Sequence, residues 1–78
     1  MAKHKAGYHY LRANVPGSEP RQYLSLEAAL AAIEDLLQLQ EGRGFITNRE
    51  SDGKHTSRHP DGRTVQFWAE DGEGIIVS

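Results

Sequence analysis

The stretch LSLEAALAAIEDLLQLQEG, residues 24–42, constrains this chain more than any other. Leu26, Ala29, Leu30, Ile33, Leu37 and Gln40 recur at three- and four-residue spacing, and Leu36 widens the stripe. Glu27, Glu34, Asp35, Gln38 and Glu41 mostly point away from it, so the segment reads as a helix with one face to bury. No Gly or Pro interrupts its Ala- and Leu-rich interior. Ser25 is the expected N-cap, Leu24 a hydrophobic staple against Ala29, and Glu27 a first-turn carboxylate facing the positive helix end. Gly42 is the expected C-cap, with Gly44 a second stop signal.

That helix needs an apolar face to cover. In GYHYLRANV, residues 7–15, alternation puts Tyr8, Tyr10, Arg12 and Asn14 on one side of a strand. It puts His9, Leu11, Ala13 and Val15 on the other, core-facing side. PGSEPRQ reads as a loop leading to the helix. After the helix, Phe45–Glu50 is strand-like, SDGK is a turn, and Lys54–His59 is extended only by context. HPDGR supplies a second turn. In Thr64–Ala69, Val65, Phe67 and Ala69 alternate with Thr64, Gln66 and Trp68, which turns Phe67 inward and Trp68 outward. EDGEG is a third turn and IIV a short last strand. The expected fold is α+β: one helix at about 25–41 on a three- to five-stranded antiparallel sheet, in the order β-α-β-(β)-β-β. Leu11, Ala13, Leu26, Ala29, Leu30, Ile33, Leu37, Phe45, Val65 and Phe67 form the expected core. The 78 residues make one small domain, with residues 1–6 as a flexible lead.

Composition removes several classes of function. Without cysteine there are no disulfides, thiol nucleophiles or thiolate-held zinc. No apolar run approaches the roughly 20 residues of a membrane span, and the basic start lacks the apolar stretch of a signal peptide, so a cytoplasmic protein is expected. The net charge of −2 argues against a nucleic-acid binder driven by charge alone. The distribution says more than the total. Residues 1–23 hold four bases and one acid, whereas residues 24–41 hold four acids and no base.

Chemical motifs are weak. His55 and His59 have the spacing of a ligand pair, but a strand would hold them about 13 Å apart, too far for one zinc at about 2 Å per ligand. Ser57, His59 and Asp61 are the residue types of a hydrolytic triad without the relay geometry or a GxSxG elbow. The acids of EDGEG look solvated and do not match a calcium loop. The glycine pairs of EGRGF and EDGEG fit neither phosphate-binding nor dinucleotide fingerprints. No enzyme activity, metal, cofactor or small-molecule substrate is expected.

Two binding classes remain. With one helix, the second sheet face stays uncovered and carries aromatics. Tyr8, Tyr10, Arg12, Arg63 and Trp68 are the candidate contact surface for a protein partner or for self-association as a homodimer. The runner-up is single-stranded nucleic acid, held by base stacking on Tyr8, Tyr10 and Trp68 and by phosphate attraction to the flanking Lys3, Lys5, Arg12, Arg43, Arg49, Lys54, Arg58 and Arg63. The layout of an N-terminal strand, an SLEAALAAI helix and a C-terminal β-meander is similar to that of several small phage or accessory proteins. Some of these act by blocking partners. The similarity lies in size and arrangement and assigns no residue a role.

Overall fold

Ser25 begins the helix as its spacing requires. Its backbone is extended and its side chain accepts the Ala28 amide at 3.1 Å. In the computed structural model, which describes residues 7–77, the helix α1 runs Leu26–Gly42. The lead expected at residues 1–6 lies outside the described residues. Gly42 continues the helix rather than capping it. Arg43 is the C-cap, and Gly44 takes the left-handed conformation at φ +91°. Phe45 N–H then bonds Gln40 O at 3.0 Å and Gly44 N–H bonds Glu41 O at 3.1 Å, a closure that requires a left-handed residue just past the cap. The staple is absent as well: Leu24 is 79% exposed. Tyr23, one residue earlier, packs against the core in its place.

Six strands occur among the described residues: β1 His9–Ala13, β2 Arg21–Tyr23, β3 Ile46–Arg49, β4 His55–Arg58, β5 Thr64–Glu70 and β6 Ile76–Val77. They form one antiparallel sheet in the order β2-β1-β5-β4-β3. β6 pairs with β5 at Ala69 and Glu70, past the end of β4. The expected one-helix α+β arrangement holds, with one strand more than anticipated. That strand is β2, inside the segment read as a loop. Ser18 N–H bonds Val15 O at 3.0 Å across Pro16 and Gly17, and Gly17 has φ +81°. This turn lets Arg21–Tyr23 fold back along β1. Val15, assigned to the core side, is exposed because the turn begins there.

The other hairpins repeat one device. Glu50, His59 and Asp71 each donate their amide to the carbonyl four residues on, at 2.8–2.9 Å. Gly53, Gly62 and Gly74 each bond back three residues from positive φ. An aspartate side chain fixes each turn: Asp52 accepts from Lys54 N, Asp61 from Arg63 N, and Asp71 from Ile75 N, all at 3.0 Å. These are three-residue loops with a glycine at the left-handed position.

The core lies between α1 and the sheet. Ala29, Ile33, Phe67 and Ala69 are its buried centre, with Leu11, Ala13, Leu30, Leu36, Leu37, Val65 and Val77 partly buried around it. Phe45 is buried where the helix hands over to β3. Leu26 is half-buried but stands apart from this cluster. On β4 the helix-facing positions are His55 and Ser57, neither of them aliphatic, and Ser57 is fully buried.

Candidate contact surface on the open sheet face

Register decides which residues share the face away from α1. Leu11 pairs with Ala69 and Ala13 with Phe67 on the helix side, so Tyr10–Glu70 and Arg12–Trp68 lie together on the other. Tyr10 also pairs with Gln22, and Thr56 with both Gln66 and Asn48. Ile46 and Arg58 complete this face toward the β3 edge, and Ile76 lies beside Glu70. Of the sequence-derived set, the structure thus brings together Tyr10, Arg12 and Trp68.

Glu70 organises the centre. Its carboxylate accepts from the Trp68 indole N–H at 2.9 Å and lies 3.8 Å from the Arg12 guanidinium, while only 7% of its side-chain surface is exposed. A carboxylate that deep is stable only with charged and hydrogen-bonding partners. Lys54 places its ammonium 4.8 Å from the Trp68 ring centroid, within cation–π range. Tyr10 is only 5% exposed and donates its hydroxyl to Gln22 Oε1 at 3.4 Å. Gln66 donates to Thr56 Oγ1 at 3.3 Å. Trp68 is half-buried, its indole edge fixed by Glu70 and its ring flanked by Lys54.

The other two candidates sit elsewhere. Tyr8 lies just before β1 and is half-buried. Arg63 is held at the far end of the sheet, its guanidinium 5.2 Å from the Phe45 ring and its Nε 2.6 Å from Asp61 Oδ2. The Arg63 amide, and then its side chain, hold the Asp61 carboxyl below its ordinary value. One residue at the centre of this surface escaped sequence reasoning. Glu70 was within reach, because β5 alternation continued one step puts it beside Trp68. Lys54 was already among the bases placed beside the aromatics, and it opens the segment extended by context.

His55 and His59 belong to the helix side. His55 stacks on Phe67 with centroids 5.7 Å apart, and His59 meets the Phe45 ring edge-on at 4.9 Å. Asp61 donates its amide to His59 Nδ1 at 3.2 Å. Ser57 Oγ, fully buried, has no hydrogen-bond partner among the described residues. Among the described residues no three His, Asp or Glu side chains cluster as a metal site, and no helix is long and apolar enough to cross a membrane.

His55 sets a pH dependence. Burial lowers its pKa most, Arg49 across the β3–β4 pair lowers it further, and Glu34 on α1 opposes both. The unfolded chain, near the ordinary 6.5, therefore takes up a proton at a pH where the folded protein still refuses it. The contribution of neutral His55 is fully present above about 6.5 and is lost as pH falls through that value toward the lowered folded pKa. Urea midpoints measured from pH 7.5 to 5.5 should fall, and His55→Gln should flatten that slope. An unchanged slope in the variant would assign the loss to another group.

No family model matches this sequence, and neither a curated protein nor a solved structure matches it.

Proposed function

We propose that this chain is a non-catalytic protein-binding domain, regulatory in role and cytoplasmic, whose contact surface is the open sheet face around Trp68. One observation carries the reading. The face opposite α1 presents an indole already oriented by a buried carboxylate and bordered by Arg12 and Lys54. Tryptophan and arginine in a fixed geometry are common interface anchors, because little side-chain freedom remains to be lost on binding. Tyr10 and Glu70 serve this surface from beneath as its supports.

Single-stranded nucleic acid is the second reading, favoured by Arg12, Lys54 and Arg58 on the same face. Base stacking needs open aromatic rings. Tyr10 is buried, and Lys54 stands over the Trp68 ring. Those two features weigh toward protein.

The test is affinity capture from native cell extract with wild type and Trp68→Ala, after amide spectra show that both fold. A specific protein partner lost from the folded variant supports the contact face. The same partner retained would remove Trp68 as its anchor. Sedimentation of the purified protein separates self-association from capture of a different chain.

A further inference from the structure

We infer that the partner received by the open sheet face is an acidic protein surface. The inference rests on the contact-face reading above and adds the chemistry of what docks there. The strands of the open face carry cations and a single, buried carboxylate, whereas the helix side mixes both signs, with Arg21 paired to Leu11 and Arg49 to His55 there. On one side, Glu27, Glu34, Asp35 and Glu41 line the exposed part of α1, which has no base in its last turn. On the other, Arg12 and Arg58 stand exposed on β1 and β4, and Lys54 lies beside Trp68.

The carboxylates near this face keep their charge, but the one on its strands lies beneath Arg12 and Trp68 and the others stand in the bordering turns. Glu70 is buried, with Trp68 and Arg12 on its oxygen. Asp52 and Asp71 are engaged by turn amides, the first by Lys54 N and the second by Glu73 N and Ile75 N. Glu50 and Glu73 stay at the rim, in hairpin turns. An incoming surface therefore meets Arg12, Lys54 and Arg58 around the indole, with Glu50, Asp52, Asp71 and Glu73 confined to the bordering turns. Acidic groups lower the energy of approach and set orientation, while the Trp68 ring supplies the apolar contact. A nucleic acid has the matching charge, but base stacking needs a whole open ring face, and Lys54 stands over this one.

The test is a titration of labelled wild type with poly-L-glutamate at low and at physiological ionic strength, following amide and indole shifts. Poly-L-glutamate should shift the Trp68 indole N–H and the amides of Arg12, Lys54 and Arg58, and salt should weaken the effect. An Arg12→Glu, Arg58→Glu double variant should bind about tenfold more weakly or worse. If the double variant fails to fold, Arg58→Glu alone serves, since Arg58 is exposed on β4. Four results would overturn the inference: no shifts, shifts centred on Arg21, Arg43 or Arg63, oligo-dT acting on this face where poly-L-glutamate does not, or low-salt self-association through the acidic helix of a second copy. A captured partner that is lost with Trp68→Ala but indifferent to charge reversal would leave the contact face standing and end the acidic assignment.

Discussion

Phe67→Ala is expected to leave little folded protein at room temperature. Phe67 has no exposed surface, belongs to the same cluster as Ala29 and Ile33, and is stacked by His55 from β4. Removing a buried phenylalanine costs about 3–5 kcal/mol. A 78-residue chain has a total stability of roughly 4–12 kcal/mol, so the substitution removes a large share of it or all of it. Loss of backbone dichroism and of the cooperative urea transition would meet the expectation. A variant that unfolds near the wild-type midpoint would show that the core is centred elsewhere.

Ile33→Ala and Leu30→Ala, compared side by side, test which way α1 is turned. Ile33 is 3% exposed at the cluster centre, whereas Leu30 is half-buried at its margin. Truncation of Ile33 should cost about 2–4 kcal/mol, and that of Leu30 about half as much. Urea midpoints at constant slope measure the difference. A reversed order would mean that the helix is rotated relative to the sheet, since each residue step turns it by about 100°.

What the sequence revealed depended on how each element earns its stability. α1 and its Ser25 cap were legible because burial of one stripe and the first-turn amides both leave a mark in residue order. The three later turns were legible because a left-handed position calls for glycine. β4 was marked only by its neighbours: its buried residues are Thr56 and Ser57, and small polar side chains carry no hydrophobic signal. β2 left no mark at all, being three residues long and exposed along two of them, held in place by β1 rather than by its own pattern. The same distinction explains the contact surface. Alternation correctly put Tyr10 and Trp68 on the open face, but parity fixes a direction and not a depth. Tyr10 is buried by its surroundings on that face, a circumstance set by tertiary neighbours. Arg63 was grouped with them by charge and sits instead at Phe45; it stands five residues before Trp68 with the parity of Val65 and Phe67, so strand rise and alternation already separate the two.

The pairing of β1 with β5 has a consequence for how the protein is made. Tyr10–Ala13 take their second partner from Phe67–Glu70, so β1 cannot complete its pairing until β5 has been made. At about 5–20 residues per second, the stretch between Gly42 and Glu70 takes roughly 1–6 s to emerge. For that interval β1, β2 and α1 exist with an unpaired strand edge and no opposing Phe67. The β3–β6 meander, by contrast, closes through neighbours joined by three-residue loops and can form as it leaves the ribosome. The nascent chain should therefore resist protease only after β5 is clear of the exit tunnel, and the vulnerable species is the early half rather than the late one.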